Sequence, residues 1–155
     1  MTADRIEREI RIEAPIDVVW EVVTEPEHIS LWFADEVDLE ARRGAEGTFT
    51  FVNPHTGRVS TYNVHVERVE RPHRFAFRWV YPDGVEPDST NAPLVEFTLA
   101  EEDDGATRLT LVESGIRAVG WDDEEKERYY AEHEAGWEVH LGRLDGHVRR
   151  ATARP

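Results

Sequence analysis

Residues 14–33 read APIDVVWEVVTEPEHISLWF. Pro15 suits the start of a helix, where its missing N–H costs nothing, and Asp17 faces the positive end of the first turn. Val18, Val19, Val22 and Val23 recur with Trp20 at helical spacing, which predicts a short amphipathic helix. Glu25-Pro26 ends it, because a residue preceding proline is pushed out of the helical region, and PEHISLWF starts a second short helix. Two tryptophans and a phenylalanine on so short a stretch pose a choice. They belong either to an ordinary packed core or to a core built around a hole.

On the N-terminal side, residues 5–13 alternate. Ile6, Ile10 and Ile12 fall on one face and Arg5, Glu7, Glu9 and Arg11 on the other, as in a half-buried strand. On the C-terminal side the period is two from Val37 to Ser114. Phe49 and Phe51 alternate with threonines, and Tyr62, Val64 and Val66 with polar residues. Phe75, Phe77, Trp79 and Tyr81 then share a face, followed by Val95, Phe97 and Leu99, then Leu109 and Leu111. Turn-forming stretches separate these runs (RRGAEG, NPHTGR, ERPHR, PDGVEPDSTNAP, EEDDGA), so the connections are short and the strands form an antiparallel meander.

From about 123 to 150 the pattern returns to helix. Asp122 or Asp123 can cap it, and Tyr130, Trp137, Leu141, Leu144 and Val148 form its apolar stripe. The order is one strand, two short helices, six strands and one long helix. A curved antiparallel sheet with an apolar concave face must be covered, and the terminal helix is the available cover. The expected fold class is α+β, a helix-grip arrangement in one domain spanning 1–155, with its core at about 5–150.

Composition narrows the function classes. The 155 residues contain no cysteine, which excludes disulfides, thiolate metal sites and a cysteine nucleophile, and suits a cytoplasmic location. The charged, alternating start carries no apolar signal segment, and no apolar run approaches the roughly 20 residues of a membrane span. A formal net charge of −15 makes nucleic acid and anionic lipid poor partners. Lys126 is the only lysine among eighteen basic residues and lies in the solvated run DDEEKER, so Schiff-base chemistry is not expected.

The chain resembles the START-like SRPBCC superfamily and, within it, proteins related to the activator of heat-shock-protein-90 ATPase. The carriers are APIDVVWEVVTEPEHISLWF, GTFTF, VERVERPHRFAFRW, VEFTLAEEDDGATRLTLVESGI and GWEVHLGRLDGHV, in that order over roughly 5–150. The resemblance implies a ligand cavity between sheet and long helix, and no particular reaction. It also implies that Trp32 and Phe33 lie on the second short helix at the cavity mouth, while Trp20 packs the first helix under the sheet. The expected lining adds Phe49, Phe51, Tyr62, Phe75, Phe77, Trp79, Phe97, Tyr129, His133, Trp137, His140 and Leu141. Trp137 should face the cavity with Phe77 and Trp79 opposite. An aromatic-walled cavity is one way to accommodate so many rings; dense aromatic packing without a cavity is the other.

Three polar residues are candidates for acid–base chemistry. His133 and His140 flank the apolar stripe, seven residues and about 10.5 Å apart along the axis, too far for both to hold one zinc. HEAGWEVH is therefore not the zinc-protease motif, and no metal or cofactor is expected. Each histidine is either a hydrogen-bonded boundary residue or a catalytic one. Glu113 shares a strand face with Leu109 and Leu111, where a carboxylate is costly unless paired. It is either bonded to Arg78, wet at the sheet end, or a general acid/base in the cavity. Asp35, Glu36 and Asp38 are expected on a solvated rim. Ser60, Ser89 and Ser114 lack a nucleophile elbow, and RRGAEG is no phosphate loop.

The leading functional expectation is a protein that binds a small hydrophobic or aromatic molecule. The alternatives are a polyketide cyclase/dehydratase-like enzyme using the same cavity and a co-chaperone stimulating a partner ATPase. An exposed sheet edge or helix face could also support a homodimer.

Overall fold

The computed structural model describes residues 4–80 and 85–152. Strand β1 (Ile6–Ile12) leads into α1 (Ile16–Thr24) and α2 (Pro26–Trp32). Strands β2 (Glu36–Asp38), β3 (Glu46–Val52), β4 (Val59–Glu70), β5 (Arg74–Val80), β6 (Leu94–Glu101) and β7 (Thr107–Ser114) follow. A single 3-10 turn at Ile116–Ala118 then precedes the long helix α3 (Asp123–Thr152). All pairings are antiparallel, in the order β1-β7-β6-β5-β4-β3-β2. This is the helix-grip fold that the switch in hydrophobic period predicts. Tyr81, expected on the face of β5, lies outside the described residues.

The inward face of the sheet follows the alternation. Phe49, Val64, Val66, Phe75, Phe77, Trp79, Val95, Phe97, Leu99, Leu109 and Leu111 are all buried, and α3 covers them with Trp137, Leu141, Leu144 and Val148. Asp122 caps α3, accepting the Glu125 backbone N–H at 2.8 Å. On β1 the inward row also contains Arg8. Its guanidinium reaches Glu134 at 3.3 Å and Glu138 at 3.6 Å, tying that edge strand to the helix.

The opening stretch packs differently from the expectation. Trp32 is 1% exposed, and its indole N–H donates to the Val22 carbonyl at 2.8 Å, locking α2 onto α1. Phe33 does not belong to α2 but follows it as the C-cap. Its ring stacks on Trp137 (centroids 5.3 Å, 5° between planes) and on Trp79 (5.6 Å, 28°). It meets Phe49, Phe51 and His140 edge-on. Both residues are buried within the core cluster. Trp20 packs as a core residue, edge-on to Phe75 at 6.4 Å. Much of the aromatic set is thus accommodated by interlocked stacked and T-shaped contacts, the favoured geometries for ring quadrupoles.

Candidate functional site

The interlock is incomplete at one end of the helix. Where the β3–β4 hairpin passes α3, a cleft of about 390 Å³ opens, lined by Phe51, Val52, Asn53, Arg58, Ser60, Tyr62, Trp79, Glu132, His133, Gly136, Trp137 and His140. An adjoining hollow of about 330 Å³ shares Arg58, Tyr62, Trp79, Glu132 and His133 and adds Val80, Trp121, Glu125, Arg128 and Tyr129. Both volumes lie in the range of small-molecule sites.

Local sequence chemistry builds each wall. On α3, positions 129, 132, 133, 136, 137 and 140 follow helical spacing and share a face. Gly136 leaves a gap in that face: a Cβ there would meet nothing nearer than the His140 ring at 4.0 Å. Opposite, the Asn53 side-chain oxygen accepts the His55 and Thr56 backbone N–H groups at 2.8 and 3.1 Å. Gly57 takes φ 73°, which an L side chain rarely adopts. The resulting tight turn places Arg58 at the cleft rim. Its guanidinium makes no ion pair among the described residues.

Behind the aromatic wall lies Glu113, fully buried. It is not bonded to Arg78, which instead donates to the Ala92 carbonyl and pairs with Glu67, and it is not wet. Its Oε1 accepts the Trp137 indole N–H at 2.8 Å and His133 Nδ1 at 3.1 Å. Its Oε2 accepts the Trp79 indole N–H at 3.0 Å and the Tyr129 hydroxyl. Four partners thus occupy the four lone-pair positions of an ionised carboxylate. Indole N–H groups can only donate, and a carboxylate with every position filled leaves Nδ1 no role but donor. His133 is therefore held with its proton on Nδ1. Its ring also stacks on Tyr129 (3.7 Å, 18°) and meets Trp79 edge-on at 5.3 Å.

Electrostatics agree with this assignment. Burial alone would push the Glu113 carboxyl up. The attraction of His133 and the hydrogen bonds from His133, Tyr129 and Trp137 outweigh it and hold the group below the usual carboxylate range. Burial and the neighbouring Glu113 charge raise the Tyr129 hydroxyl well above its ordinary value, keeping it a donor. Two turns along the helix, His140 behaves in the opposite way. Burial, then Arg143 and His133, push it down to about 4, and its Nδ1 is buried with no hydrogen-bond partner.

The sequence-predicted residues therefore separate. Phe51, Tyr62, Trp79, His133, Trp137 and His140 come together around the main cleft, and Tyr129 lines the adjoining hollow. Trp32, Phe33, Phe49, Phe75, Phe77 and Phe97 do not line either space; they fill the packed core. Leu141 faces a separate groove between β1 and α3. Asp35 is exposed like Glu36 and Asp38, but it also accepts the Val52 backbone N–H at 2.6 Å. Sequence reasoning missed Asn53, Arg58 and Glu132, and treated Gly136 only as a neighbour. The Asn-Pro-His-Thr-Gly-Arg turn was the available signal for the first two. Among the described residues no cluster of three or more ligating side chains could hold a metal.

The fold and the sheet–helix cleft define a START-like protein of the SRPBCC superfamily. Residues 13–149 match the profile of the Activator of Hsp90 ATPase homolog 1-like family, and the chain belongs to that family. Among solved structures it is similar to DynU16, a protein of the dynemicin biosynthetic locus. The two share 28% identity and a TM-score of 0.73; the alignment covers 99% of this chain and 49% of DynU16, so this chain spans about half its length. It is also similar to CalU16 from Micromonospora echinospora (26% identity, TM-score 0.66, 97% and 79% covered). MLL2253 from Mesorhizobium loti shares the fold (21% identity, TM-score 0.73, 94% and 97% covered). No curated protein matches the chain significantly. No helix among the described residues is long and apolar enough to cross a membrane.

Proposed function

We propose that the protein binds a flat aromatic or conjugated small molecule carrying a polar edge, in the cleft between the β3–β4 hairpin and α3. The observation that carries this reading is the composition of the opening. Phe51, Tyr62, Trp79 and Trp137 offer ring faces and edges, while Arg58, Asn53 and Ser60 supply hydrogen-bonding groups on one side. An arginine at the rim with no ion-pair partner among the described residues, in a chain of net charge −15, suits an anionic or carbonyl-bearing ligand edge. The membership of DynU16 in a biosynthetic locus supports a biosynthetic small molecule as the ligand class. A cytoplasmic protein acting on such molecules would need no disulfide, in keeping with the absence of cysteine.

Native mass spectrometry of freshly purified protein tests the reading. A co-purified small molecule that is retained by the wild type and lost from Arg58→Ala and Tyr62→Ala supports it. A ligand retained equally by both variants would place binding elsewhere.

A further inference from the structure

A buried carboxylate with four partners is more than a core requires. Position 113 shares its face with Leu109 and Leu111, and an apolar residue there, with its partners replaced to match, would spare the cost of burying a charge. Three of the four partners are donors that end at Glu113. The fourth does not end there. His133 uses Nδ1 on Glu113, its side chain is 12% exposed, and its ring lines both the cleft and the adjoining hollow. Nε2 makes no hydrogen bond among the described residues, yet it is not among the fully buried unpartnered atoms. It therefore opens to the space.

We infer that His133 is a catalytic proton acceptor and donor at the cleft, with Glu113 as the positioning residue that fixes its tautomer and supports the imidazolium. This rests on the cleft being a small-molecule site. The substrate class is a flat conjugated molecule with a hydrogen on carbon next to a carbonyl. The Nε2 lone pair takes that proton, and the C–H electron pair moves into the new C=C bond as the carbonyl π pair goes to oxygen, giving an enolate that Arg58 can neutralise. The imidazolium then returns the proton at another carbon of the conjugated system, the carbonyl re-forms, and the histidine is regenerated. The net change is an isomerisation that needs no co-reactant. Carboxylate-oriented imidazoles are a recurring proton-transfer device, contributing typically 10²–10⁴-fold.

Two measurements on the full chain test this. The first needs no ligand. Long-range proton–nitrogen NMR spectra, taken where the ring is neutral, should show His133 protonated on Nδ1, and Glu113→Gln should move the ring toward the ordinary Nε2–H tautomer. An Nε2–H tautomer in the wild type would overturn the assignment.

The second uses nitrobenzisoxazole, a flat bicyclic carbon acid. Loss of its C–H proton forms the nitrile as the ring N–O bond breaks to a phenolate. Saturable elimination by the wild type, with kcat lowered at least tenfold in His133→Gln and KM changed less than threefold, supports the inference. The exposed His55→Gln should match the wild type. Saturable turnover unchanged in His133→Gln overturns the role of His133 but leaves the cleft as a binding site. Quenching of tryptophan emission by the probe without turnover does the same. Neither quenching nor turnover removes the cleft reading and this inference with it.

Discussion

The two halves of the interface between sheet and long helix use the same residue types to opposite ends. Around Phe33, Trp32, Phe49 and Phe97 the rings interlock, these four side chains are all buried, and the polar atom they carry, the Trp32 indole N–H, is satisfied by a backbone carbonyl. Around Trp79, Tyr129, His133 and Trp137 the rings also carry polar atoms, and these converge on one buried carboxylate while a cleft opens beside them. Phe33 and Trp137 stack directly, so the halves meet within one ring thickness. Aromatic content by itself does not distinguish a wall from a core. The distinction lies in where hairpin and helix diverge, and in which rings have a hydrogen-bonding atom to commit.

Substitutions should separate the halves. The largest effect is expected from Glu113→Gln, which removes a charge and leaves the amide NH₂, on whichever side it lies, facing an indole N–H that can only donate. The loss should be about 3–5 kcal/mol in urea unfolding, the usual cost of breaking a buried charged network. Trp137→Ala, which removes both a packed ring and one of those donors, should cost a similar amount, about 3–5 kcal/mol. Trp20→Ala should destabilise as a core truncation yet leave the affinity of the folded protein for any cleft ligand unchanged. If Trp20→Ala weakened binding by tenfold while Trp137→Ala did not, the division into closed and open halves would be wrong.

The two histidines of α3 give a pH-dependent version of the same contrast. The folded-state value of His140, about 4, lies below its ordinary 6.5, so folding favours the neutral ring. Its contribution is complete above pH 6.5 and is lost as pH falls toward 4, by about 3 kcal/mol at most. Glu113 is also depressed, so its contribution is present above the ordinary carboxylate value and lost below it, in a more acidic window. Denaturation of wild type and His140→Phe at pH 7 and pH 4.5 should show the variant losing less stability on acidification. An equal loss would show that His140 does not carry this window.

How much of this could be read from the sequence follows from the same physics. The alternation of Phe75, Phe77 and Trp79, and the helical stripe of Trp137, Leu141, Leu144 and Val148, report local periodicity. They placed the sheet face and the covering helix. The roles of Trp32, Phe33 and Phe49 depend on how far apart hairpin and helix sit, which no local period encodes. Glu113 was legible as an anomaly, a carboxylate on an apolar face. Its partners were not, because Trp79, Tyr129, His133 and Trp137 reach it from β5 and α3 across a distance that only the assembled fold closes.

A smaller effect sharpens the functional side of the comparison. Gly136→Ala should raise stability by about 0.5–1 kcal/mol, because alanine is the better helix former and its Cβ meets only the His140 ring. The added methyl should nevertheless weaken cleft binding several-fold. Stabilisation accompanied by unchanged binding would mean that the gap at Gly136 is not used.

The most direct measurement follows the indole N–H signals of the five tryptophans during titration with a flat aromatic probe such as nitrobenzisoxazole. A ligand in the cleft should shift Trp79 and Trp137, whose rings line it and whose N–H groups bond Glu113, while Trp20 and Trp32 stay in place within the packed half. Saturable shifts confined to Trp79 and Trp137, with Trp121 following where the probe extends into the adjoining hollow, are the expected result. Shifts centred on Trp20 and Trp32, or none at millimolar probe, would contradict the cleft as the binding site.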